Sequence, residues 1–238
     1  LRPRLLDLFC GGGGASAGYH RAGFDVVGVD INPQPRYPFE FVQTDALTFP
    51  LDGFDAIHAS PPCQGYSSMR HLTRARLAKW NREPKPYPLL LGEVRARLCN
   101  SGVPFVIENV VGSPLRKDIM LCGSMFGLRV RRHRLFETTL GAVLQPQCQH
   151  FRHNFIGVYG RVGDGRRLWS PGEARRGGAF YRQELRAAKS TAEAGAAMGI
   201  DWMEWDEIRE AIPPAYTEFV GRLLLQTLGV ESCSSSTT

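Results

Sequence analysis

No apolar stretch of this chain reaches the length needed to cross a bilayer, and no signal peptide is evident, so the reading excludes a helical membrane protein and expects a cytoplasmic one. Internal repeats are absent too, which argues against a solenoid or propeller. The six cysteines fall at uneven spacing and suggest no disulfide framework; they fit a reducing compartment. There is no Gly-Lys-Ser/Thr, so no phosphate loop, and the glycine-rich run departs from dinucleotide-fingerprint spacing. Acids are outnumbered by bases, 23 against 29, and the net charge of +6 suits a polyanionic partner. With 238 residues, 43% of them hydrophobic, the chain can bury one main core and carry a small lobe.

Within that frame, Ala59-Ser60-Pro61-Pro62-Cys63-Gln64-Gly65-Tyr66-Ser67 carries the most information. The apolar run Phe54–Ala59 reads as a short strand, and two prolines forbid its continuation. Cys63 is thereby projected at the edge of a sheet, where α/β folds bind ligands, and is a candidate nucleophile; a buried structural cysteine is the alternative. Leu5–Cys10 reads as a strand running into Gly11-Gly12-Gly13-Gly14 and then a helix-compatible segment, 15–22. A second strand, Val26–Val29, ends at Asp30, roughly 20 residues past the loop, the offset at which nucleotide-binding folds set an acid on ribose hydroxyls. Two more segments stand out. Pro104–Val111 is a β-rich run interrupted by Glu108 and Asn109, and in Arg129–Phe136 a two-residue period puts Arg132 and Arg134 on one face. Paired guanidinium groups suit phosphates or base edges, although such a run also occurs on solvated surfaces.

In content, order and spacing these four segments resemble the DNA cytosine-5 methyltransferase family, over roughly residues 4–138 and again near the C-terminus. The resemblance implies an α/β, Rossmann-like S-adenosylmethionine-dependent methyltransferase fold with a mainly parallel sheet and a small loop-rich lobe. It implies methyl transfer to C5 of cytosine in duplex DNA through a covalent bond from Cys63 to C6 of a base swung out of the helix. In the same pattern Glu108 engages N3 and the exocyclic amine, Arg134 holds O2 with Arg132 as its partner, and Asn109 orders the Glu108 loop. The arginines are expected to favour the Cys63 thiolate. For S-adenosylmethionine the matching positions are Phe9, Gly11, Gly12, Gly13, Gly14, Asp30, Ile31, Asp45 and Pro62. Asp30 stands where the family usually has glutamate, Ile31 where a residue packs on adenine, and Asp45 where one reads its amino group. A tRNA cytosine-5 methyltransferase and a non-catalytic nucleic-acid-binding relative are the rival readings.

The chain departs from that family in its last third. Between Phe136 and about Ser190 only some 50 residues stand where relatives carry a large recognition domain. The expected organisation is a catalytic and cofactor core over 1–138, a reduced recognition lobe over 139–190, a segment over 191–230 that returns to the core, and a disordered tail over 231–238. The lobe mixes Arg161, Arg166, Arg167 and further arginines with Phe155, Tyr159, Trp169, Phe180 and Tyr181, a composition suited to phosphates and bases or to a loop-rich lobe with a small aromatic core, and the first is the reading taken. A recognition site of about two to four base pairs and a monomer on DNA are expected. The loop after Cys63, through Ser67, Arg70, His71 and Arg74, is by the resemblance the one that closes over the flipped base, and the basic residues that follow it, Arg76 through Lys85 with Trp80, are read as a phosphate track or an exposed helix face. Cys148, His150 and His153 offer only three local ligands at no common finger spacing, so no metal is expected and they are assigned to a polar loop. Ile212-Pro213-Pro214-Ala215-Tyr216 resembles the family's last motif, with Arg209 and Glu210 where Gly-Asn is usual.

Overall fold

A computed structural model describes residues 1–67, 87–150, 155–160, 162 and 185–230. Most of the loop after Cys63, the basic stretch at 76–85, most of the arginine-rich lobe, His153 and the tail lie outside them. Seven strands make the central sheet: β1 (Arg4–Leu8), β2 (Asp25–Asp30), β3 (Glu40–Gln43), β4 (Ala56–Ala59), β5 (Phe105–Asn109), β6 (Ile119–Leu121) and β7 (Arg134–Thr138). Their order is β3-β2-β1-β4-β5-β7-β6. The first five are parallel; β7 runs antiparallel to β5, and β6 antiparallel to β7. The chain thus has the mainly parallel α/β sheet of a Rossmann-like methyltransferase fold, closed on one edge by a hairpin-like antiparallel pair.

Near-continuous apolar runs make these strands, because both faces of the sheet are covered. Neighbours in a strand point oppositely, so Leu5 joins one core and Leu6 the other. On the first face lie α1 (Gly14–Ala22) and the C-terminal helix 214–227, around Tyr19, Phe24, Phe136 and Tyr216. On the second lies α2 (Leu91–Ser101), which inserts Leu91, Val94 and Leu98 against Ile57 and Ile107. A third cluster ties the two short parallel strands β8 (Phe155–Gly157) and β9 (Leu185–Ala187) to α3 (Thr191–Met198) and α4 (Trp205–Ile208). Ser190 caps α3 by accepting from the Glu193 amide at 3.1 Å.

The C-terminal helix, α5 (Pro214–Thr227), begins with proline, whose missing N–H costs nothing in a first turn. It returns the chain to the core: Thr217 Oγ1 donates to the Ala15 carbonyl at 2.8 Å, and the Tyr216 hydroxyl donates to the Arg132 carbonyl at 2.5 Å. Strand order reverses between β1 and β4. In open α/β sheets that reversal opens a crevice beyond the carboxyl ends of the strands.

Candidate active site

The loops following β1, β2 and β4 and the end of β5 converge on that crevice. After β1 the chain turns at Phe9, whose φ of 59° is left-handed, and at Gly13, whose φ of 84° leads into α1. A non-glycine residue at positive φ is strained, and such strain gathers at functional sites. A side chain on Gly14 would put its Cβ 2.5 Å from the Ile212 carbonyl oxygen, so only glycine lets the start of α1 meet the segment before α5. Asp30, ending β2, accepts from the Gly11 amide at 3.1 Å and from the Asn32 amide at 2.9 Å. One carboxylate thus shapes both the glycine turn and the end of its own strand.

Together these loops enclose a cavity of about 440 Å³. It brings together Phe9, Gly11, Gly12, Gly14, Asp30, Ile31 and Pro62 with Cys63, Glu108 and Arg134. Four expected residues do not reach its wall. Gly13 sets the turn behind it; Asp45 accepts from the Leu47 amide at 2.9 Å in a turn after β3. Arg132 and Asn109 support the wall from behind.

Cys63 sits in a tight turn beyond β4, its carbonyl accepting from the Tyr66 and Ser67 amides at 3.0 Å each. Asn109 Nδ2 donates to the Pro61 carbonyl at 2.9 Å and its Oδ1 accepts from the Val110 amide at 3.0 Å, so this side chain ties the cysteine loop to the end of the glutamate's own strand. Glu108 is 5% exposed, and Arg134 Nε stands 2.9 Å from its Oε1, a charge contact directed off the line of a hydrogen bond. Burial pushes the Glu108 carboxyl up from its ordinary range; Arg134, Arg132 and a hydrogen bond from Ser60 oppose that rise.

The thiol is under opposed influences. Burial is the largest influence on Cys63 and pushes its pKa up; Arg134 pulls it down, Glu108 raises it, and Arg132 lowers it. The arginines act with the expected sign, yet desolvation wins in the site as it stands. Nor do they act as a matched pair on one strand face: Arg134 opens β7, whereas Arg132 lies before it. Arg132 is buried, donates to the Arg209 carbonyl at 2.5 Å and stacks 5.7 Å from the Tyr159 ring centroid, with Nε and Nη1 lacking hydrogen bonds.

Two groups, Asp7 and His58, were not singled out from the sequence. Asp7, wholly buried in β1, lines the cavity with Oδ1 unbonded, while Oδ2 accepts from Ser16; burial raises it to about 7. Its alternating place in an apolar strand was the only signal available. His58 bridges Tyr19 at 2.9 Å and Ser60 at 2.7 Å, continuing a buried polar chain to Glu108, and burial lowers it to about 3, so the imidazole is neutral. The segment before α5 closes the cavity: Arg209, Glu210, Ala211 and Ile212 line it, and Trp202 Nε1 donates to the Gly12 carbonyl at 2.9 Å. Arg209 and Glu210 therefore stand on the cavity despite the missing Gly-Asn.

No family model matches this sequence, and no curated protein matches it. Solved structures do. A candidate DNA modification methyltransferase encoded within an E. coli prophage aligns with a TM-score of 0.54 at 17% identity, over 95% of this chain and 99% of that one. Dnmt2 methyltransferase of S. pombe aligns at 0.54 and 16%, over 96% and 99%. The methyltransferase EhMeth of Entamoeba histolytica aligns at 0.53 and 14%, over 96% and 99%. At such identities the likeness is one of architecture: the chain has the fold of these methyltransferases.

Proposed function

We propose that this protein transfers a methyl group from S-adenosylmethionine to C5 of cytosine in duplex DNA, using Cys63 as nucleophile on a flipped base. The observation that carries the reading is the meeting of Cys63, Glu108 and Arg134 in one cavity with the glycine turn and Asp30. A volume of about 440 Å³ suits a small-molecule site. Backbone amides, an acid at the end of β2 and the 65%-exposed Ile31 beside it offer a nucleoside both polar and apolar contacts, so the residues fit the donor. Phe9, Gly11, Gly12, Gly14, Asp30, Ile31 and Pro62 would hold it, with Gly13 setting the turn behind them and Asp45 on the adenine side, next to Thr44, whose amide donates to the Asp30 carbonyl at 3.0 Å. Bound there, S-adenosylmethionine supplies an electrophilic methyl sulfonium.

This chain's residues prepare the base. Cys63 loses its proton and its sulfur bonds to C6, which makes C5 nucleophilic. Glu108 donates a proton or hydrogen bond at N3 as negative charge builds on the ring; its upward-shifted carboxyl suits that role. Arg134, already against Glu108, holds O2, and Arg132 adds positive potential from behind. Asn109 fixes the cysteine loop through Pro61. Once C5 carries the methyl group and has lost its proton, the C6–S bond breaks and Cys63 is regenerated. Residues 1–138 form the core in this reading, 139–190 the recognition lobe, and 191–230 the segment that completes the donor site.

Transfer of tritium from methyl-labelled S-adenosylmethionine into duplex DNA and into tRNA, with wild type beside Cys63→Ala, tests this. Label in DNA that vanishes with Cys63→Ala is expected. Label in tRNA alone would assign the protein to RNA, and label in DNA that survives Cys63→Ala would remove the proposed nucleophile.

A further inference from the structure

Outside the cavity, the fold gathers two cysteines and two histidines from three places in the sequence. Cys122 follows β6 and starts a 3-10 turn over 123–126. His133 lies between Arg132 and Arg134, and Cys148 and His150 stand at the end of the described stretch 87–150, in the first part of the 139–190 segment. One ligand atom from each lies within 4.8 Å of all the others. Cys122 Sγ is 3.4 Å from His150 Nε2, and Cys148 Sγ is 3.5 Å from His133 Nε2. The two imidazole planes stand at 90°, with ring centroids 5.1 Å apart.

We propose that Cys122, His133, Cys148 and His150 bind one zinc ion as a closed tetrahedral site. With Zn–S near 2.3 Å and Zn–N near 2.0–2.1 Å, a tetrahedron has S···N edges of about 3.6 Å. The Cys–His separations of 3.4 and 3.5 Å are close to that length, and the longest separation, within 4.8 Å, must contract by only about 1 Å. Two sulfurs and two imidazoles are a donor set that selects zinc among the common divalent ions. Binding takes the proton from each thiol, so the two thiolates neutralise the ion and two protons pass to solvent. Outer contacts are in place as well: Ser124 Oγ donates to Cys122 Sγ at 3.3 Å and accepts from the Gln149 amide at 3.2 Å.

Sequence spacing hid this site because Cys148 and His150 are local while Cys122 and His133 arrive through the β6–β7 pair. With four protein ligands there is no open position, so the ion is structural. It would tie the end of β6 to the Arg132–Arg134 segment and to the first part of the 139–190 segment, which at some 50 residues is shorter than a typical independent domain. None of this depends on which nucleic acid is methylated, or on methylation at all.

Metal analysis of the full chain, purified under reducing conditions from zinc-supplemented culture and desalted, tests the site. About one zinc per chain is expected, retained by Cys99→Ser, which alters an exposed thiol, and reduced at least fivefold by Cys148→Ser and by His150→Ala. Cys148→His, which keeps four ligands, is expected to restore it. Should a variant fail to fold, wild-type protein loaded with cobalt decides: tetrahedral visible absorption with thiolate-to-cobalt charge transfer supports the site. Wild type holding less than about 0.1 zinc after equilibration with equimolar zinc, or equal zinc in folded Cys148→Ser and His150→Ala, overturns it.

Discussion

Replacing Arg134 with alanine leaves Glu108 buried without its nearest cation. The two side chains are 11% and 6% exposed and stand 2.9 Å apart, so water cannot take the arginine's place cheaply. Removing one member of a buried pair typically costs about 3–5 kcal/mol. With a urea slope of about 3 kcal/mol/M for a chain of this size, the midpoint should fall by about 1–1.7 M near pH 7.5. The sign of the pH dependence follows from Glu108. Its folded-state pKa is raised by burial, so the native state holds a proton that the unfolded state has released, and stability is lost as pH rises through the folded value. Arg134 opposes that rise; its loss pushes the carboxyl higher still and widens the window above the ordinary 4.5. At pH 5, close to the ordinary 4.5, taking up a proton costs Glu108 less than at pH 7.5, so the penalty should be smaller there. Adding Glu108→Gln to Arg134→Ala should recover roughly 2 kcal/mol near pH 7.5 by removing the stranded charge. Midpoint losses that are equal at both pH values, or a double variant weaker than Arg134→Ala alone, would refute the reasoning.

Asp7, raised from 3.8 to about 7 by burial, binds a proton in the native state that the unfolded chain gives up across that window. Stability should therefore fall by roughly 4 kcal/mol as pH rises through it, and Asp7→Asn should flatten this part of the urea-midpoint profile; an unchanged slope contradicts the assignment. His58→Phe removes buried partners from Tyr19 and Ser60 and should cost about 1–3 kcal/mol in thermal or urea unfolding, against near-neutrality if the polar chain is incidental. Gly14→Ala drives a methyl group against the Ile212 carbonyl and should cost about 1–3 kcal/mol. It should also weaken S-adenosylhomocysteine binding in calorimetry, whereas wild-type affinity would place the donor elsewhere.

Much of the cavity was legible because its parts are local in sequence. A strand that ends in glycines, a strand that ends in Asp30, and prolines that stop β4 before Cys63 each announce a loop at a sheet edge. Glu108 stood out for interrupting an apolar run. What could not be read depends on contacts between distant segments. Nothing local tells that Asp7 is fully buried with one oxygen unbonded, or that Arg132 faces the Arg209 carbonyl while Arg134 faces Glu108. The balance on the Cys63 thiol was missed for a related reason: charges are visible in a sequence, whereas desolvation requires the depth of the site. The Cys122–His133–Cys148–His150 cluster is the extreme case, assembled by an antiparallel pair that periodicity did not reveal.

The most direct test of the central claim is covalent capture on duplex DNA substituted with 5-fluorocytosine, in the presence of S-adenosylmethionine. Fluorine at C5 cannot leave as a proton does, so Cys63 cannot be expelled after methyl transfer and the protein should stay attached to DNA. A DNA-bound species that survives denaturation with wild type and is absent with Cys63→Ala is the predicted result. Methylation of ordinary DNA without such a species, or the same species with Cys63→Ala, would contradict the account.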